Sequence, residues 1–356
     1  MDALSIPMLF LIFTAASAVT WIAGIALAKT TDTLDTRWKI GEALGGLILL
    51  GITGSLPEMA VVYAAARHGD IPVITGNLIG GIAIQTLLIV IFDYASGKTP
   101  LSFLAGSIEL SVETLFAIGI LVFALLGAMT PARDAVFNMN PFTIVIVVAW
   151  VLGLFIINKI RMNPKYNKVE KCEEEVCPAR GRTHSERRKV ENHVFYAGKS
   201  TLHVGLIFLV ASIATLIAGY LLEETGTRIA THFNIGSALF AATVIALVTA
   251  LPEISTGIES IWIGDNHLAI SDIMGGNAFM LVIFLLADLV AKKPVLSFAS
   301  SDKVSMLFAY AGVIMMAVYA ISFIRKIRKG LFRLGLDSVL EIILYAVALV
   351  IMVKLI

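Results

Sequence analysis

Charge is what this sequence has least of. Only 15% of its 356 residues are Asp, Glu, Lys or Arg, against about 25% in a soluble domain, and that shortage excludes an ordinary water-soluble fold. The net charge of +1 points to no nucleic acid or acidic partner. Cysteine is nearly absent. Cys172 and Cys177, in C-E-E-E-V-C, match no strong metal or redox spacing and read as free thiols in a reducing cytoplasm. The N-terminus opens with Asp2 instead of a basic stretch, and no small-residue cleavage site follows the first apolar block. That block is expected to be a retained span and not a signal peptide. The six histidines lie in linkers or at span ends, with no ligand cluster expected among them.

What fills the chain instead is apolar: 58% of residues, in blocks of about 20, the length that crosses about 30 Å of hydrocarbon. Ten spans are expected, near 5–28, 41–66, 71–94, 107–128, 141–160, 201–222, 235–261, 266–290, 303–324 and 336–355. A polar stretch at 161–200, rich in Lys, Arg and Glu, reads as a solvated linker between residues 1–160 and 201–356. With the N-terminus outside, 20 of the 27 Lys and Arg fall on the cytoplasmic side. The positive-inside rule then predicts both termini outside and the linker in the cytoplasm, with Lys292 and Lys293 as the main dissent.

The two halves repeat without a gap at an offset of 195. Leu56-Pro57-Glu58 returns as Leu251-Pro252-Glu253, Gly69-Asp70 as Gly264-Asp265, and Gly80-Gly81 as Gly275-Gly276. Ala83 and Asp93 return as Ala278 and Asp288, while Asn77 falls opposite Asp272. Five spans per repeat is an odd number, so the second copy is expected to enter the membrane from the opposite side. The predicted fold is an all-α polytopic membrane protein of ten transmembrane helices in two inverted five-helix repeats. Transporters built this way place their sites near the midplane, at the repeat interface.

Glu58 and Glu253 carry the strongest chemical signal. Each follows a proline deep in an apolar block, where a carboxylate costs roughly 2.5–3.5 kcal/mol and calls for a partner. Proline removes a backbone hydrogen bond and kinks the helix, and freed carbonyls are tolerated there if they face a polar cavity. No basic residue lies inside spans two, three, seven or eight except near their ends. Two carboxylates and nearby carbonyls make an oxygen cage suited to a hard cation such as Ca²⁺. Asn77, Gly80, Gly81, Ile84 and Gln85 share one helical face, and their twins include Asp272, a third acid at membrane depth. Asn277 lies off that face. Thr53, Ser55 and Thr249 offer hydroxyls that serve equally as ligands or as caps on kinked backbone. Asp93 and Asp288 close spans three and eight and read as interface residues and not ligands.

The stretches G-S-L-P-E-M (54–59), G-N-L-I-G-G (76–81), T-A-L-P-E-I (249–254) and S-D-I-M-G-G-N (271–277) resemble the two α-repeats of the calcium/cation antiporter superfamily. The resemblance extends to the ten-span plan and covers most of the chain. It implies an alternating-access exchanger with Glu58 and Glu253 as central Ca²⁺ ligands, helped by Ser55 and Thr249. There are departures. The family's second Gly-Asn is here Ser271-Asp272, its Gly-Ser is Gly-Gly in both copies, and Gln85 and Met280 stand where sodium-coupled members carry Asn or Asp.

The expectation is a Ca²⁺ antiporter coupled to Na⁺, with an H⁺-coupled exchanger of Ca²⁺ or another cation, of the same fold, as the alternative. The lipid bilayer and inorganic cations are the partners, with no cofactor and no obligate protein partner. A channel is disfavoured by the built-in antiparallel repeat, and an intramembrane enzyme by the absence of a nucleophile with its base.

Overall fold

The computed structural model describes residues 4–38, 51–161, 196 and 198–355. The expected linker 161–200, with Cys172 and Cys177, lies almost entirely outside the described residues, as does much of the expected span 41–66. Among the described residues the regular structure is helical apart from a two-residue antiparallel pair, Gly330–Leu331 with Leu334–Gly335, and an isolated bridge between Val136 and Met139.

Its helices are α1 Ile6–Trp38, α2 Leu56–His68, α3 Ile71–Ser96, α4 Leu101–Ala105, α5 Ile108–Ala128 and α6 Pro141–Arg161. After the linker come α7 Thr201–His232, α8 Ser237–Thr249, α9 Leu251–Trp262, α10 Asn266–Ala291, α11 Lys303–Arg325 and α12 Leu336–Leu355. Seven are long and apolar enough to cross a membrane, or eight if α8 and α9, bent by 44°, form one broken span. The protein is a multi-pass membrane protein.

Helix α1 and helix α7 each run about ten residues past the expected spans, because the polar chain beyond the apolar block stays helical. In α7 the extension carries an i,i+4 pair, Arg228 to Glu224 at 2.7 Å.

Burial sorts the helices into layers. The apolar window of α3 is 89% buried, while those of α6 and α7 are 28% buried. Helix α3 is therefore interior. The outer helices present Leu152, Phe155, Ile156, Leu206, Val210 and Ile217 on the surface, a face that suits lipid and not water.

The offset of 195 reappears in the element boundaries: Ile71–Ser96 shifts onto Asn266–Ala291, and Leu56–His68 onto Leu251–Trp262 within one residue. The repeated Gly-Asp has a local cause. Gly69 and Gly264 take positive φ of 75° and 85°, and each following Asp caps the next helix. Asp70 accepts from the Val73 amide at 3.3 Å, and Asp265 from the Leu268 amide at 3.1 Å.

Asp93 and Asp288, read from the sequence as interface residues closing spans three and eight, act as hydrogen-bond acceptors within the fold. Both are buried, and both hold the chain together across the halves. Asp93 accepts from the Leu101 amide and from the Gly335 amide, each at 2.6 Å. Asp288 accepts from the Val295 amide at 2.7 Å, and from the Asn140 amide and Thr143 hydroxyl at 3.0 Å. Asn140 and Gly335 are themselves 195 positions apart, so each half clamps the other through the same contact.

Candidate cation site

The site starts from the two prolines. Pro57 and Pro252 have no N–H for the carbonyl four residues back. At Ser55 and Ala250 the backbone sits at φ −92°, ψ 16° and φ −86°, ψ 3°, a matching pair of breaks. Each Glu therefore falls in the first turn of a new helix, Glu58 in α2 and Glu253 in α9.

Helices α3 and α8 come together beside these breaks. A Cβ at Gly76 would lie 2.3 Å from the Ala238 carbonyl oxygen, and one at Gly80 would lie 2.2 Å from the Ala242 Cβ. Small residues four apart on both helices permit this approach. Both contact regions include a π-helical turn, Gly76–Gly80 and Ala241–Ile245, a distortion common at functional sites.

Glu58 is 1% exposed, and neither of its oxygens has a hydrogen-bond partner. Thr249, from the other half, lies against its carboxylate. Glu253 is half-buried with Oε2 unpartnered, and it lies within charge-interaction range of Glu58 and Asp272. Asp272 is exposed at the middle of α10. No ion pair among the described residues neutralises any of these three. Asn77 is buried with both amide atoms unpartnered. The unpartnered Oε1 of Gln85 stands 3.7 Å from where a Gly276 Cβ would be. Its twin, Met280, packs its methyl over Gly81 in the mirrored position.

The remaining candidates are more constrained. Thr249 donates to the Ala246 carbonyl at 3.2 Å, so it caps broken backbone as well as touching Glu58. Thr53 accepts from Thr31 of α1 at 3.2 Å. Ser55 is buried and makes no side-chain cap. Asn277 donates to the Thr86 hydroxyl at 3.0 Å, while its Oδ1 is unpartnered.

Two features escape the sequence reading. Glu113 of α5 accepts from the Ser271 hydroxyl at 2.9 and 3.0 Å, and its Oε1 lies 3.6 Å from a Cβ built at Gly275. An acid in an apolar block was the available signal. The second corrects the expectation for histidine: His68 faces Glu223 at 3.1 Å and Glu224 at 3.6 Å, a group whose ligand atoms converge. Packing of α7 against α2 brings these distant residues together, which spacing alone does not reveal.

The helical fold and its long apolar helices define the class, a polytopic all-α membrane protein, and the paired acids at two equivalent helix breaks are its candidate site. The sodium/calcium exchanger protein family model matches residues 8–170 and 203–354, and the chain belongs to that family, within the calcium/cation antiporter superfamily. The inner membrane protein YrbG of Escherichia coli (strain K12) is 24% identical over 263 residues, 73% of this chain and 72% of that one. Among solved structures, the H⁺/Ca²⁺ exchanger CAX aligns with a TM-score of 0.62 at 14% identity, over 97% of this chain and 88% of that one. The sodium-calcium exchanger NCX_Mj aligns with a TM-score of 0.54 at 14% identity, over 97% of this chain and 99% of that one. These two likenesses establish the fold alone.

Proposed function

We propose that this protein is a secondary-active antiporter that exchanges Ca²⁺ for Na⁺ by alternating access, with Glu58 and Glu253 as paired ligands. The observation that carries the reading is Glu58: a carboxylate buried at a helix break, both oxygens unpartnered, beside a second acid from the twin position. An ionised carboxylate is sustained there only with a compensating positive charge. Thr249, Ser55 and Asn77 add neutral oxygens from both halves, and a hard divalent ion takes six to eight. Thr53, Gln85, Asp272 and Asn277 complete the candidate set.

The proposed topology has ten spans in two inverted halves, residues 1–160 and 201–356, with both termini outside and linker 161–200 cytoplasmic. The reciprocal Asp93 and Asp288 clamps support a two-fold relation between the halves. Exchange of inward- and outward-facing arrangements follows if the halves swap roles about the shared site.

A second reading keeps the cargo and takes H⁺ as the coupling ion. Asp272 favours it, as a third ionisable acid where the first half has Asn77, together with Met280, which offers no hard-cation ligand.

The test is flux in proteoliposomes. An outward Na⁺ gradient should drive Ca²⁺ uptake in the wild type, whereas uptake driven by a pH gradient in the absence of Na⁺ would favour the H⁺ reading. Glu58→Gln and Glu253→Gln should each abolish it, and unchanged uptake in both variants would falsify the assignment.

A further inference from the structure

Unpartnered buried side-chain atoms are unevenly spread among the described residues. Seven of the sixteen belong to Glu58, Asn77, Gln85, Glu253 and Asn277. Four more form a second concentration: both oxygens of Glu341, Oδ2 of Asp337 and the hydroxyl of Tyr319. Glu341 is 0% exposed. It sits on α12, one turn after Asp337, and its charge-interaction neighbour is another acid, Asp337. The Tyr319 hydroxyl of α11 feels Glu341, Asp337 and the Asp93 of α3, with Ser338 against it. Tyr345, one turn further along α12, is buried against Phe308. Among the described residues no Lys, Arg or His forms an ion pair with any of these acids.

The repeat supplies an internal control. The Asp93 clamp around this cluster has a complete counterpart in the other half, where Thr143 stands for Ser338 and Asn140 for Gly335. The unpartnered groups do not. The positions 195 residues before Glu341, Asp337 and Tyr319 are Ile146, Phe142 and Ala124, and Ile146 is fully buried. The same scaffold is thus built with apolar side chains, so folding does not require the acids. Burying a carboxylate with neither partner nor counter-charge is strongly unfavourable.

We infer that Glu341, with Asp337 and Tyr319, forms a second cation site, separate from Glu58 and Glu253, that takes one monovalent cation, H⁺ or Na⁺. In the proton case, H⁺ bonds to a Glu341 oxygen and turns it into a donor toward Asp337. In the sodium case, the Glu341, Asp337 and Tyr319 oxygens coordinate the ion. A divalent ion is a poor match, since two carboxylates and a phenol oxygen fall short of the six to eight oxygens it takes. The site touches the end of α3, about 24 Å along that helix from Asn77. Its functional meaning, a coupling-ion site, rests on the exchanger reading.

The test measures binding as well as transport. Thermal unfolding of the purified full-length protein is followed in NaCl against choline chloride, at several pH values, for wild type, Glu341→Gln and Glu341→Ile. The Ile variant restores the residue the first half uses and guards against a Gln variant that fails to fold. A sodium site predicts a Na⁺-dependent rise in the wild-type midpoint that both variants lose. A proton site predicts a midpoint that falls as pH rises, since a proton bound by the folded form alone stabilises it, and both variants flatten that slope. Equal Na⁺ and pH dependence in all three proteins overturns the inference. So does a Ca²⁺-induced shift lost in the Glu341 variants. If wild-type proteoliposomes move no Ca²⁺, the exchanger reading fails while the binding result still stands.

Discussion

Asp93 and Asp288 are as deeply buried as Glu58, yet their surroundings are opposite. Each aspartate accepts hydrogen bonds from at least two donors and ties one half of the chain to the other. Glu58 has two oxygens without a partner, and Glu253 has one. Both pairs obey the repeat, and Glu58 is as buried as either aspartate while Glu253 is half-buried, so neither internal symmetry nor burial alone separates structure from function. Satisfaction does. An acid whose oxygens are saturated by backbone amides is part of the scaffold. One left bare in the interior is held ready for something that arrives from outside.

The sharpest way to break this contrast is to neutralise each pair. Glu58→Gln should cost at least about 100-fold in exchange rate, the loss expected when an ion ligand of several kcal/mol is removed. The variant should remain folded, because Gln keeps the shape of the side chain and an oxygen that can face Thr249. Flux and thermal unfolding on the same preparation separate the two effects. A Glu58→Gln protein that unfolds but transports normally when stabilised would reverse its assignment.

The aspartates should behave the other way. Asp288→Asn replaces an acceptor of three hydrogen bonds by an amide whose N–H groups face other donors. A loss of about 2–4 kcal/mol in stability is expected, with transport per folded molecule close to wild type. Asp93→Asn should follow it. Denaturation in detergent, paired with flux normalised to folded protein, reads both. An undiminished midpoint in Asp288→Asn would show that the clamps are dispensable.

Much of this arrangement was legible in the chain. The Leu-Pro-Glu pairs, the Gly-Asp turns and the Gly-Gly pairs sit in register, and helix boundaries fall at the same offset. Proline and glycine act locally, so their consequences can be read locally. The roles of Asp93 and Asp288 could not be read that way, because their partners Gly335 and Asn140 lie more than a hundred residues distant. The same is true of His68 with Glu223. Glu113 and Glu341 are, like Glu58, acids in apolar blocks, but their twins are the apolar Phe308 and Ile146, so the repeat does not mark them.

The comparison of twins extends to glycine. At Gly80 an added methyl would land 2.2 Å from Ala242, whereas at Gly275 the nearest atom is Glu113 Oε1 at 3.6 Å. Gly80→Ala should destabilise by about 1–3 kcal/mol through overpacking of the α3–α8 crossing. Gly275→Ala should lie near zero, since 3.6 Å is ordinary contact. Equal losses in the two variants would mean that the crossing is not the tight point of the fold.

The smallest expected effect concerns the helix cap at Asp70, which lies outside the spanning segment of α3. Asp70→Ala should cost about 1 kcal/mol, a usual value for a lost cap, and Asp70→Asn only a few tenths, because Asn caps as well. The two differ in their pH behaviour from the wild type in a defined direction. Burial raises the Asp70 carboxyl above the ordinary aspartate range, opposed by the bond from the Val73 amide and by His68. A raised value in the folded state means that the folded protein binds the proton more tightly than the unfolded chain. The resulting stability is fully present below the unfolded value, about 3.9, and is lost as pH rises through the folded one. Asp70→Asn should therefore remove a small downward slope of stability across mildly acidic pH. Unfolding midpoints collected from acidic to neutral pH for both proteins measure it, and a steeper slope in the Asn variant would show that His68, and not burial, dominates at this turn.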